Sequence, residues 1–436
     1  MVLPATARTN GQGHLEIGGC DTVDLSKRFG TPLFLLDEYS VRSKCEEYRA
    51  AFRRPGMTAD IIYAGKAFLS AAVCDIINEE GLMLDVSSGG ELYLAHEAGF
   101  PADRIFFHGN NKTPGELEQA LDYRVGRIVV DSFDELDRLE TLAAKNQCET
   151  DVQLRVTPGV LPSTHEFVQT GQVDSKFGFG LAGGVALDAV QTILARSRLN
   201  LRGLHFHIGS QIAAVGSYAA AVKILMDFAG ELRVKCGWEV EEVNAGGGLG
   251  IRYGSDDRVT TIAEYADVIV EGVRAGAESN GLAIPRIMVE PGRSIIGNAG
   301  VTLYTVGTVK VIPGLRTYVS VDGGMSDNLR PMLYGAEYEG LLANRAGAEG
   351  DTAVTVAGKH CESGDVLIRD AVLPAPKVGD ILCTPATGAY GYVMANNYNR
   401  QPRPPVVLVR DGRAEVIVKR ETYEDVVSLE QRLNDE

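Results

Sequence analysis

The sequence predicts an α/β chain in which a (β/α)8 TIM barrel is joined to a C-terminal all-β domain that also takes up the N-terminal segment. Three observations carry this. Between about residues 60 and 292, short β-rich runs alternate with helical stretches, the pattern of parallel βα units, and there are eight such runs. Polar residues gather at the C-terminal ends of these runs, the face on which barrels of this kind carry their active sites. Beyond residue 300 the texture becomes β, with almost no helical periodicity until the end.

In chain order the runs are DIIYAGK (60–66), LMLDVSS (82–88), RIFFHGN (104–110), RIVVDS (127–132), VQLRVTPG (152–159), LRGLHFHIG (201–209), VEEVNAGGG (240–248) and RIMVEPG (286–292). Between them, SAAVCDIINEEG has apolar residues at three-to-four spacing. Ser132 before FDELDRLETLAAK is an expected N-cap, with Glu135 three residues on. Lys66, Asp85, His108, Asp131, Arg155, His207, Gly246 to Gly248 and Glu290 stand at the C-terminal ends of their runs. A doubly wound open sheet would also gather strand ends at one edge, but eight repeats favour closure. The later β segments are VTLYTVGTVKVI, TYVSVDGG, TAVTVAGKHC, DVLIRDAV, DILCTPATGAY and PPVVLVRDGRAEVIVKR. GHLEIGGCD and TPLFLLD near the N-terminus lack a helix partner and are expected to pair with them. A chain of 436 residues exceeds the size at which one core usually stops growing. The expected division is residues 37–298 for the barrel, with 1–36 and 299–436 forming a β-sandwich or β-barrel domain.

Composition excludes several classes. With 45% hydrophobic and 23% charged residues the balance is that of a soluble globular protein. A net charge of -16 would repel a phosphate backbone, so no nucleic-acid partner is expected. The first residues lack the apolar core of a signal peptide and no segment is long enough to span a bilayer, which predicts no membrane association and a cytoplasmic protein. Seven scattered cysteines without a CxxC pair predict reduced thiols and no metal site.

Chemistry is written at the strand ends. Lys66 follows an apolar strand at once, so its amine would emerge from a low-dielectric wall that depresses its pKa and frees it as a nucleophile toward an aldehyde. A lone lysine at a strand end more often snorkels to water. Gly246, Gly247 and Gly248 open a loop after the seventh run, while Gly292 and Arg293 follow the eighth. Phosphate sites in such barrels are frequently built from these two loops, although a Gly-rich turn alone is ordinary turn chemistry. Together they predict pyridoxal 5'-phosphate (PLP): Lys66 for its aldehyde, the glycines for its phosphate, and Glu290 to keep its pyridine nitrogen protonated. His207 in HFHIGS would stack on the ring, and Ser210 would help hold the cofactor. His205, two residues earlier on the same strand face, reads as packing. The segment from Val160 to Gly180 exceeds ordinary βα loop lengths and is expected to be a lid or a structural loop.

Further motifs complete the pattern. YAGKA, DVSSGGEL, HFHIGSQ, GGGLG, EPGRS, DGGMSDNLRPMLYGA, GKHCESGD and TGAYGYVMANNYN resemble, in order, the motifs of the diaminopimelate decarboxylases, from about residue 30 to 420. The last three are the specific ones. The resemblance implies that Lys66 is the PLP lysine, that His207 stacks on the ring, that Glu290 meets the pyridine nitrogen, and that Gly248 and Gly292 line the phosphate site. It implies substrate-binding roles for Arg293, Arg330, Tyr334, Glu362 and Tyr390, the last also approaching the cofactor, and makes Cys361 the catalytic proton donor. Cys361 and Glu362 would complete the neighbouring subunit's site, so a homodimer with active sites at the subunit interface is implied. Outside this resemblance, Arg330 and Glu362 would read as solvated surface groups and Cys361 as a small buried hydrophobe. The implied reaction converts meso-2,6-diaminopimelate to L-lysine and CO2, the last step of lysine biosynthesis. The alternative is the same chemistry on ornithine, arginine or a carboxylated polyamine precursor.

Overall fold

The computed structural model describes residues 1–160 and 174–433. It comprises two compact units: Ser43–Ile251 with Arg258–Ser294, and Met1–Arg42 with Arg252–Asp257 and Ile295–Glu436.

The first unit is a closed parallel barrel. Its strands are β1 (Ala59–Ala64), β2 (Met83–Val86), β3 (Ile105–Phe107), β4 (Arg127–Val130), β5 (Thr150–Thr157), β6 (Leu199–His205), β7 (Glu242–Asn244) and β8 (Arg286–Val289). Each pairs in parallel with the next, and β8 returns to β1 with Ile287 opposite Ala59. Helices connect the strands. Ala71–Glu79 starts at Ser70, whose hydroxyl accepts the Val73 N–H. Phe133–Lys145 starts at Ser132, whose hydroxyl accepts the Glu135 N–H. The Glu135 carboxylate takes the Asp131 N–H and pairs with buried Lys112 at 2.7 Å. Lys112 Nζ also donates to the Gly109 and Val129 carbonyls, so this buried charge is fully bonded.

Strand periodicity sets the barrel interior. Ile62, Phe106, Val129 and Met288 form a buried apolar cluster. Two residues on, where a strand returns to the same face, stand Ala64, His108, Asp131 and Glu290. On the remaining strands the same step carries Met83 to Asp85, Gln153 to Arg155, His205 to His207 and Asn244 to Gly246. An apolar plug therefore lies beneath a polar layer at the C-terminal strand ends. Of the segment from Val160 to Gly180, residues 161–173 lie outside the described residues. Phe179–Gly180 adds to β5 beside Val156 and Thr157.

The second unit is β-rich. Leu33–Asp37 lies between Gly300–Ile312, antiparallel to it, and Val406–Arg410, parallel to it, so the N-terminal TPLFLLD run becomes an internal strand. The long Gly300–Ile312 strand pairs with Ile381–Pro385 along its first half and Arg316–Val321 along its second. It thereby joins two cores, one around Leu33, Val301, Leu303 and Val407, the other around Val306, Val319, Val354 and Leu382. Leu15–Ile17 pairs with Arg8–Thr9 and Cys20–Asp21 in a small sheet, and Leu15, Ile17 and Cys20 pack into the first core. Among the helical turns that interrupt the β texture, the α-helical turn Arg330–Tyr334 falls where the sequence predicts none. Among the described residues no helix is long and apolar enough to cross a membrane.

Candidate active site

In the barrel unit, Lys66 lies in a single 3-10 turn, Gly65–Ala67, directly after β1. Its Nζ is 3.6 Å from Asp85 Oδ2 at the end of β2. Asp85 is fully buried. Gly65 permits this approach, because a Cβ there would lie 2.8 Å from the Asp85 carbonyl oxygen.

Glu290 follows the neighbouring strand β8, and three other strands supply its partners. Asn244 Nδ2 donates to Oε1 at 2.8 Å, His205 Nε2 lies 3.2 Å from Oε2, and His108 Nε2 lies 2.9 Å from Oε1 as an ion-pair contact without hydrogen-bond alignment. Burial works against the charge on Glu290, but His108 and His205 beside it hold its carboxyl well below the usual range. Burial likewise lowers His205 to about 4 despite the adjacent carboxylate, so its ring is neutral. The sequence reading gave His205 to packing. The ring is buried, and it also makes a specific polar contact with Glu290. The donor atoms of His108, His205 and Glu290 lie within 4.8 Å of one another, a spacing that would also suit a metal ion.

His207 is shaped by the loop after β7. Its Nδ1 accepts the Gly247 N–H at 3.2 Å, which places the ring proton on Nε2. Burial, with Lys66 and Arg155 nearby, drives its pKa well below the usual value and leaves a neutral ring. The Gly246 N–H goes to Asn244 Oδ1 at 3.0 Å. Gly246 and Gly247 thus use their N–H groups inside the protein, and their missing side chains serve close backbone packing. A Cβ at Gly246, Gly247 or Gly248 would lie 2.3, 2.0 or 2.1 Å from the carbonyl oxygens of Phe206, Glu290 and Gly209. Gly246 and Gly248 also adopt positive φ, of 65° and 103°. Gly292 is small for a different reason: its missing Cβ would strike Ala64 and Ala67 on either side of Lys66. Next to it, buried Arg293 donates to Ser210 Oγ at 2.9 Å, bringing the two expected anion-binding side chains together. Sequence reading marked Asp85 and Arg155 only as strand-end residues. Arg155 is buried 3.7 Å from Asp131 and lies over the Phe177 ring.

In the β-rich unit, Arg330 is buried in a group of four tyrosines. Its Nε donates to Tyr338 Oη at 3.0 Å, and its guanidinium lies 5.6, 5.4 and 5.9 Å from the ring centroids of Tyr253, Tyr334 and Tyr390. Burial opposes its charge, but the tyrosines more than offset this and raise its pKa. Tyr253 and Tyr338 escaped the sequence reading, since nothing local ties them to Arg330. Tyr390 adopts a φ of 55°, a left-handed conformation that a bulky residue rarely takes and that surrounding structure must hold.

Cys361 and Glu362 stand exposed on a turn whose base is fixed. Asp365 accepts His360 Nδ1 at 2.8 Å, the His360 N–H at 3.0 Å and the Met325 N–H at 2.7 Å. The buried His360 ring stacks on Tyr398, and Asn399 Oδ1 accepts the Cys361 N–H.

Residues 38–297 match the family model described as the pyridoxal binding domain of pyridoxal-dependent decarboxylases. The chain is 50% identical over 430 residues to the diaminopimelate decarboxylase of Bacillus subtilis (strain 168), covering 99% of this chain and 98% of that one. It is 43% identical to that of Staphylococcus aureus (strain COL), covering 97% and 99%. The solved diaminopimelate decarboxylase from M. jannaschii in co-complex with L-lysine matches with a TM-score of 0.93 at 34% identity over 99% of each chain. At 23% identity and a TM-score of 0.75, the lysine/ornithine decarboxylase of Vibrio vulnificus shares the fold. This chain belongs to the diaminopimelate decarboxylases, PLP-dependent enzymes built on a TIM barrel and a β domain.

Proposed function

We propose that the chain removes one α-carboxylate of meso-2,6-diaminopimelate as CO2 and releases L-lysine, with Lys66 holding PLP, Cys361 returning a proton to Cα, and Arg330 and Glu362 reading the distal end of the substrate. The observation that carries this reading is the polar layer above the barrel plug, where the Lys66 amine and the buried Glu290 carboxylate follow the C-terminal ends of the neighbouring strands β1 and β8 beside a glycine loop.

The residues fit the cofactor. Gly246, Gly247 and Gly248 let the loop after β7 pack directly on the carbonyls of Phe206, Glu290 and Gly209, and the Arg293 and Ser210 pair on the same unit offers a guanidinium and a hydroxyl to an anion. When bound, PLP supplies an aldehyde for an amine and a ring that accepts an electron pair. Lys66 Nζ would hold that aldehyde, Glu290 would accept the ring N–H, and the neutral His207 ring would pack on the ring. Gly248, Gly292, Ser210 and Arg293 would hold the phosphate.

Substrate recognition falls to the β-rich unit. The Arg330 guanidinium offers paired N–H donors for the distal carboxylate, and the Glu362 carboxylate accepts the distal ammonium. Tyr334, Tyr390 and Arg293 complete the substrate contacts, Tyr390 also reaching the cofactor. The Cys361 thiol delivers a proton to Cα once CO2 has left. A proton donor for a carbanion needs a site closed to water. Cys361 and Glu362 are exposed in a single chain, which supports a homodimer in which each chain completes the other's site. The acidic chain and its cysteines, none of them in a disulfide, suit a cytoplasmic enzyme.

Purified protein with PLP, incubated separately with meso-diaminopimelate, L-ornithine and L-arginine, tests the reading through CO2 and amine release. Rapid release from diaminopimelate alone is expected. Equal release from ornithine or arginine would assign the chain to another basic amino acid.

A further inference from the structure

Glu290 has more partners than a carboxylate needs merely to be buried. Oε1 faces Asn244 Nδ2 at 2.8 Å and His108 Nε2 at 2.9 Å, while among the described residues Oε2 faces His205 Nε2, at 3.2 Å. The three partners come from β7, from the end of β3 and from β6, so they were assembled by the barrel rather than by local sequence. His205 and Glu290 are 1% and 4% exposed and His108 is 5% exposed. His205 Nδ1 is buried without a hydrogen-bond partner. A proton there would be an orphaned donor, so the neutral ring carries its proton on Nε2, toward Glu290.

We propose that His108 and His205 are positioning residues that keep Glu290 an acceptor-only carboxylate, leaving an Oε2 lone pair for the cofactor's ring N–H. This rests on the reading that Glu290 meets the ring nitrogen. A carboxylate has about four acceptor positions. Asn244 fills one on Oε1, against which His108 Nε2 also lies as an ion-pair contact, and His205 fills one on Oε2. If Glu290 became protonated, its O–H would face imidazole N–H donors or point at the ring nitrogen, and the ring would lose the charge that makes it an electron acceptor. Burial alone favours that neutral acid, and the two imidazoles oppose it. The other titratable groups whose charges act on or near this carboxylate are Asp85, Arg155, His207 and Tyr265.

The test uses holoenzyme reconstituted with PLP labelled with 15N in the ring. The wild type should show a protonated ring nitrogen, and Glu290→Gln should move its signal toward the unprotonated position. His108→Leu with His205→Leu should move it the same way and lower kcat about tenfold or more, the cost of losing hydrogen bonds to a charged group, with KM changed far less. His108→Gln with His205→Gln, which retain N–H donors, should restore the signal. If Glu290→Gln leaves the signal unmoved, Glu290 does not meet the ring and the underlying reading fails. If Glu290→Gln moves it but the leucine pair does not, the reading stands and this proposal falls. Should the leucine pair fail to fold, 15N-histidine labelling of the wild-type holoenzyme decides: both rings are expected to be protonated on Nε2, and a bare Nε2 at either position overturns the proposal.

Discussion

The two units hold their functional groups in opposite ways. In the barrel, Asp85, His108, His205 and Glu290 are all buried and each lies against another polar group, so the charge pattern exists before any ligand arrives. In the β-rich unit, Cys361 and Glu362 are exposed, and only the base of their turn is fixed, through His360 and Asp365. The barrel supplies preorganised electrostatics. The turn supplies a thiol and a carboxylate on a rigid mount with nothing yet closed around them. One chain therefore fixes the barrel groups through buried partners and leaves Cys361 and Glu362 exposed.

Substitutions in the two regions should fail differently. Lys66→Ala should have the largest effect, with borohydride no longer fixing PLP to the chain and kcat falling by about four orders of magnitude or more. A retained covalent adduct would place the cofactor on another lysine. Cys361→Ala should keep the absorbance of bound PLP and lose about 10²- to 10⁴-fold in kcat, the range for removing a general acid. Near-normal turnover would show that another group protonates Cα. Mixing these two inactive chains sharpens the contrast, because a hybrid dimer would carry one intact site. Random re-pairing should restore about a quarter of wild-type activity, half of the dimers being hybrids with one working site of two. No recovery despite demonstrated subunit exchange would mean that each site is built from a single chain. Arg330→Ala should lose about 2–4 kcal/mol in kcat/KM for meso-diaminopimelate and narrow the gap to D-lysine, which lacks the distal carboxylate. An unchanged preference would remove Arg330 from that role.

The same division separates what the sequence made legible from what it did not. The barrel was readable because strand period fixes which residues share a face: His108, Asp131 and Glu290 each follow a plug residue by two positions. What no periodicity revealed were bonds across the barrel, such as His205 to Glu290, 85 residues apart. Loop chemistry was half legible. The glycines after β7 announced a close backbone approach, but not that the Gly246 and Gly247 N–H groups would be taken by Asn244 and His207. The helix Arg330–Tyr334 was missed because five residues cannot display a period. Its signals were of another kind, Pro331 in its first turn and Gly335 just past its end. The tyrosines around Arg330 include Tyr253, from a short excursion, Arg252–Asp257, that belongs to the β-rich unit. Only the folded chain brings it near.

The smallest predicted effect asks whether that tyrosine group serves recognition or only packing. Tyr338 Oη is the acceptor for Arg330 Nε, and Tyr338 is buried in the apolar core of its unit. Tyr338→Phe keeps the ring, and therefore the core, while removing the acceptor. Arg330 Nε is then left without that bond, at a cost of about 1–3 kcal/mol for an unpaired buried donor, part of which the side chain recovers by turning toward another oxygen. A guanidinium that has turned no longer presents its paired N–H groups in one fixed direction, and bidentate recognition depends on that direction. We therefore expect kcat/KM for meso-diaminopimelate to fall about 3- to 10-fold, mostly through KM, with PLP absorbance unchanged. D-lysine should hardly be affected, since it has no distal carboxylate for Arg330 to hold. An equal fall for both substrates would show that Tyr338 supports the fold of this region rather than the aim of Arg330.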